Sequence, residues 1–289
     1  MRSKSLIGPF IFSLLAVPAL FWATFMLGGA SGANKVTQWF FVATVVVEVL
    51  ALTQAVAARK LFSPSDHGYV TWTLIVAFLV VRLVAEARLV TMSFRLAPTY
   101  TEDASRGLYF YIVVLRYLYT LSDILMISAV FNAIRAYKGT GLKFELQKRD
   151  YVYILLVCAM PAGAYAFREN FGYLALGMGA DDYVATYRLV GVFVGAVIAS
   201  LSLVIRRYAL SMGGGAIARV WNTIAVGGIA RVGSFVAFAA MLSWSRSGAQ
   251  FAEQYLLWTF SCCWLLASLY QQEAPPRSGK TDERRAANV

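Results

Sequence analysis

The sequence predicts an all-α fold, a polytopic transmembrane helix bundle of eight spans, N-in and C-in, or seven spans if the first is a cleaved signal. Three observations predict it. Apolar residues make up 59% of the 289 residues and charged residues 14%, with a mean hydropathy of +0.62, whereas a soluble domain carries about a quarter charged residues. The apolar residues fall into blocks of roughly 17 to 27, the length a helix needs to cross about 30 Å of hydrocarbon. Lys and Arg gather in alternate connections, as the retention of positive residues on the cytoplasmic side requires.

The first block, 6–28, follows the basic segment Met1 to Lys4 and ends in Gly28-Gly29-Ala30, a run resembling a signal cleavage site. Its apolar stretch is longer than a signal core of about 7 to 15 residues and contains Pro9 and Pro18, so an uncleaved helix is expected. The following blocks lie at 38–58, 70–93, 108–134, 151–167, 185–205, 219–243 and 254–271. A spanning barrel would show alternating segments of about ten residues. These runs are long and unbroken, and helices then satisfy the backbone within lipid. Residues 1–271 thus form one membrane domain, and 272–289, with Pro275-Pro276 and mixed charges, reads as a disordered cytoplasmic tail.

With the N-terminus inside, the cytoplasmic segments hold sixteen Lys and Arg: Arg2 and Lys4, and clusters at Arg59-Lys60, from Arg135 to Arg149, from Arg206 to Arg219 and from Arg277 to Arg285. The opposite side holds five: Lys35, Arg95, Arg106, Arg168 and Arg246. Aromatic rings favour the headgroup layer. Tyr69, Trp72, Tyr151, Tyr153, Tyr208, Trp221 and Tyr270 fall at inner ends, and Trp39, Tyr109, Tyr183, Tyr187, Trp244 and Tyr255 at outer ends. The net charge of +11 follows from the inward bias and the anionic inner leaflet. No nucleic-acid partner is implied.

Cys158, Cys262 and Cys263 lie in spans without metal-ligand spacing and read as small apolar fillers. His67, the single histidine, sits in the turn Pro64 to Gly68 and cannot build a zinc or haem site alone. No cofactor and no metal are expected. Gly213-Gly214-Gly215 lacks the pattern of a phosphate-binding loop and reads as a hinge. The connection from Arg168 to Val184, with Gly172, Gly177 and Gly179 beside Asp181 and Asp182, reads as a flexible outer loop. Gly191, Gly195 and Ala199 form a face of small residues on which a second helix can approach closely.

The informative residues are the ionisable ones inside the spans: Glu48, Arg82, Glu86, Arg116, Asp123 and Arg231, with Arg88 and Arg188 nearer the outer rim. Each costs roughly 2.5 to 3.5 kcal/mol at a helix centre, so six left facing lipid would cost on the order of 15 to 20 kcal/mol. They are expected to face inward and to find partners. Arg82 and Glu86 are i,i+4 neighbours, and Arg116 and Asp123, seven apart, share a face with Tyr109 and Thr120. Thr44 with Glu48, Gly227 with Arg231 and Ser234, and Gln254 with Ser261 and Ser268 make further polar stripes. At 1.5 Å per residue the charges fall in one layer, roughly 10 to 23 Å from the outer boundary.

Two readings of this layer follow. In one, the arginines line an outward-facing cavity and the protein binds or transports a small anionic or amphiphilic ligand, a lipid among the candidates. In the other, the charges close into structural salt bridges, and the protein is a membrane sensor or complex subunit that needs a membrane or cytoplasmic protein partner for its output. An enzyme using Glu86 or Asp123 as a base would need a nucleophile or metal beside it, and the sequence supplies neither. Arg116-Tyr117 followed by Asp123 resembles the third helix of microbial rhodopsins, yet no span contains the lysine that retinal attachment requires. Internal sequence symmetry between spans one to four and five to eight is absent, since all three membrane acids lie in the first half. The expected location is the plasma or bacterial inner membrane, with the lipid bilayer as the principal partner.

Overall fold

A computed structural model describes residues 38–95, 102–139, 145–166, 168–171, 182–211 and 215–274, together with Ala19 and Ala23. Regular structure among the described residues is entirely helical: α1 (Gln38–Arg59), α2 (His67–Arg95), α3 (Glu102–Lys138), α4 (Lys148–Ala166), α5 (Arg168–Phe171), α6 (Asp182–Ser211), α7 (Gly215–Met241) and α8 (Arg246–Glu273). Seven predicted spans coincide with α1, α2, α3, α4, α6, α7 and α8. The block 6–28 lies outside the described residues apart from Ala19 and Ala23, as do Gly28 to Ala30, Gly172 to Gly179, Gly213-Gly214 and the tail beyond Ala274.

Four stretches are long and apolar enough to cross a membrane: Gln38–Arg59, Val113–Lys138, Ala185–Ser211 and Gly215–Met241. Helices α2, α4 and α8 are not in this group. The first carries Arg82, Glu86 and Arg88, the second opens on Lys148-Arg149-Asp150, and the third is rich in Gln, Ser, Trp and Tyr.

The helices overrun the predicted spans because apolar content marks what lipid covers, whereas a helix continues wherever its ends are capped. At 37 residues, α3 is about 55 Å long at 1.5 Å per residue, far beyond the hydrocarbon layer. Helix α8 starts eight residues before the predicted span, where the Ser245 hydroxyl accepts the Gly248 N–H at 3.1 Å. The Asp150 carboxylate reaches back one turn to the Gln147 N–H at 2.8 Å and fixes the start of α4.

Helices α1, α2 and α3 pack in sequence, as do α6, α7 and α8, while α3 against α6 and α1 against α8 join the two sets. Helices α4 and α5 lie outside this ring against α6 and α7. The main core runs through it, from Ala51 and Ala55 of α1 by Phe78 and Leu79 of α2, Met126 and Val130 of α3, and Ile198 and Ile224, to Phe260 and Trp264 of α8. The small face of α6 packs within the chain. A Cβ on Gly228 of α7 would stand 2.9 Å from the Ala199 nitrogen and 3.0 Å from the Gly195 carbonyl, so glycine is what allows these two backbones to touch.

Several residue-level expectations change. Trp72 and Trp221 are buried in the core and do not sit in a headgroup belt, because a ring pointing inward is indistinguishable in sequence from one pointing to lipid. Tyr187 is half-buried, against Tyr119 and Phe235. Trp39, Trp244, Tyr151 and Tyr153 are exposed. Cys158 is exposed on α4 and is no core filler, whereas Cys262 and Cys263 are buried. Thr120 is exposed, since four residues overshoot a full helical turn and take it off the Arg116–Asp123 face.

Candidate functional site

Burial of the layer follows from helical periodicity. Thr44, Glu48, Ala51 and Ala55 fall on one stripe of α1, and all are buried. The alanines leave room beside Glu48 for the long Arg82 side chain of α2. Arg82 donates through Nε to the Glu48 carboxylate at 2.5 Å and through Nη2 to Glu86 at 3.1 Å, one turn along its own helix. From α8, the Ser261 hydroxyl donates to the same Glu48 oxygen at 2.9 Å. Three helices thus meet on one carboxylate that is 0% exposed.

A second pair lies beside the first. Arg231 of α7 donates to the Asp123 carboxylate of α3 at 2.7 Å, and both are buried. The Phe260 ring of α8 lies beside both groups, its centroid 4.6 Å from the Arg82 guanidinium and 5.6 Å from that of Arg231. Cation–π contact of this kind contributes about 2 kcal/mol when desolvated. Asp123 feels the charge of Arg82 as well as that of Arg231, so the five residues form one electrostatic unit.

The remaining predicted residues divide. Arg116 is buried on α3 and has interactions of its own. Arg88 is exposed on α2, away from the enclosed cluster. Arg188 is buried rather than solvent-facing at a rim: it donates to the Phe171 carbonyl at 3.0 Å and to Glu253 at 3.4 Å, and lies 4.1 Å from the Phe238 ring. Glu253 is not among the charges expected within the spans, because the apolar block of the eighth starts at 254. One signal could have found it: it stands seven and eight residues before Phe260 and Ser261, on the same face of α8.

The chemistry of this arrangement is association. Each of Arg82, Arg188 and Arg231 ends on a carboxylate supplied by another helix, and its planar fork suits such buried pairing. The Glu48 Oε2 and Arg231 Nε atoms are buried without a hydrogen-bond partner. Among the described residues, no group of three His, Cys, Asp or Glu is arranged to hold a metal ion. Comparison of the chain with models of known protein families, with curated proteins and with solved structures finds no match in any of the three.

Proposed function

We propose that the chain is a multi-pass protein of the plasma or bacterial inner membrane whose arginine–carboxylate layer is a structural clasp, and that it serves as a sensor or complex subunit acting through a protein partner. The observation that carries this reading is the enclosure of Arg82 and Arg231, each 1% exposed and each paired with a carboxylate of another helix. The carboxylate beside each guanidinium neutralises the charge that would attract a free anion, so the pairing favours a clasp over a transport path.

Eight spans with both termini inside remain part of the proposal. Contacts that gather the basic helix ends support it: Arg207 with Asp150, Arg219 with Glu273 and Arg59 over Tyr69. These join the ends of α4 with α6, α7 with α8 and α1 with α2, as connections on one membrane side require.

A second reading, binding of a small anionic ligand within the layer, is favoured by one observation, the orphaned Arg231 Nε donor. Two experiments separate them. Purification in a mild detergent is expected to retain a partner that is lost when residues 140–146, between α3 and α4, are replaced by a neutral linker, and a clean monomer overturns the subunit role. Arg231→Gln is expected to lower thermal stability; unchanged stability with loss of anion binding would establish the ligand reading instead.

A further inference from the structure

We propose that the ends of α4 and α6 bearing Arg149 and Arg206 bind the phosphate headgroup of an anionic phospholipid, and that the outward face of α4 seats its acyl chain. Two guanidinium groups share one carboxylate here, and a third, that of Arg149, stands near one of them. Asp150, buried, is committed to Arg207 at 2.5 Å and to the Gln147 N–H, while the Gln147 side chain accepts a second Arg207 bond at 2.9 Å. Arg206 reaches that carboxylate only at 4.0 Å. Arg149 and Arg207 stand close enough to repel Arg206, and Arg149 is exposed with no ion pair among the described residues. The cluster is therefore short of negative charge, and a phosphate between Arg149 and Arg206 supplies it with an acceptor for both forks.

The identity of the anion follows from what adjoins it. Arg149, Tyr153, Leu156 and Met160 recur at i, i+4, i+7 and i+11, one stripe of α4. The first three are exposed and Met160 is half-buried. Along that stripe the chemistry changes from a cation through a phenol hydroxyl to aliphatic side chains, the order of a phospholipid's headgroup, glycerol backbone and acyl chain. A soluble phosphate ester matches the first position only. Val152, three residues after Arg149, four before Leu156 and 55% exposed, widens the apolar seat. The site rests on the membrane reading above, and the side of the membrane on which it lies rests on the orientation proposed there.

The test uses the full chain purified in a neutral detergent, with lipid binding read by native mass spectrometry. Phosphatidylglycerol is expected to bind more tightly than phosphatidylcholine, and Arg149→Gln with Arg206→Gln to weaken it about fivefold per arginine, the fold-change equivalent of the roughly 1 kcal/mol a basic residue contributes near an anionic surface. Arg219→Gln, at an exposed pair with Glu273, is expected to leave binding unchanged. Arg149→Gln alone serves if the double variant does not fold, because Arg149 is exposed. Equal binding of the two lipids, an unchanged affinity in the variants, or full competition by glycerol phosphate would each overturn the proposal. Binding in micelles does not depend on orientation, so a reversed topology in cells would overturn the sidedness alone.

Discussion

Arg82 holds two carboxylates at once, and that asymmetry decides what its loss does. Arg82→Gln leaves Glu48 and Glu86 facing each other inside the bundle, whereas Glu86→Gln leaves the shorter Arg82–Glu48 pair in place. Removing one partner of a buried pair costs about 3 to 5 kcal/mol, much of it from the uncompensated charge left behind. The expected order of destabilisation is therefore Arg82→Gln above Glu48→Gln above Glu86→Gln, measured by thermal unfolding in detergent. For the simpler pair, Asp123→Asn or Arg231→Gln alone is expected to cost about 3 to 5 kcal/mol, and Asp123→Leu with Arg231→Met considerably less, because no charge is then stranded. Equal losses in the double and single variants would show that the pair's charge is not what makes it matter. The inward position of these residues was legible in the sequence, since the cost of charge in lipid left no other place for them. Their partners were not: Ser261 and Phe260 come from a helix more than two hundred residues along the chain from Glu48, and nothing local in sequence marks such a meeting.

At the level of the helices, what the sequence could not convey was mainly where each one ends. Hydropathy reports the lipid-covered part, while Asp150 and Ser245 set the helix starts by capping, and α3 runs on through Arg135 and Lys138 with its helix uninterrupted. Loss of a capping side chain costs about 1 kcal/mol; Ser245→Ala is expected to cost this much and no more. The contact between α6 and α7 is more demanding. Gly228 sits against the Gly195 carbonyl and the Ala199 backbone, neither of which can rotate away as a side chain would. Gly228→Val must push the helices apart, at a cost of about 1 to 3 kcal/mol for overpacking, and the Arg231–Asp123 pair lies one turn further along the same helix. Gly215→Ala, with open space around its Cβ position, is the control expected to leave the melting temperature unchanged. A Gly228→Val protein as stable as the parent would mean that α6 and α7 do not pack on that face.

The described helices form two three-helix sets, α1 to α3 and α6 to α8, with α4 and α5 against the second, and two buried polar bonds run between the sets: Asp123 to Arg231, and Ser261 to Glu48. Charges placed there join the halves where apolar contact alone gives little orientation, since lipid is as apolar as leucine and drives no association of its own. This arrangement has a consequence for topology. The paired helix ends at Arg207 with Asp150 and at Arg219 with Glu273 must share one side of the bilayer. In the proposed orientation the basic residues at those ends lie on the cytoplasmic side. A sidedness reporter inserted after Lys60, Gly139 or Ser211, or fused after Val289, is therefore expected to read cytoplasmic, and one inserted at Pro98 or Ser243 external. If Gly139 and Ser211 read opposite sides, α4 and α6 cannot be consecutive spans, and the eight-span reading fails in its second half while the Glu48–Arg82 and Asp123–Arg231 pairs stand. If every position reads the reverse, the seven spans from α1 onward stand and only the direction is lost.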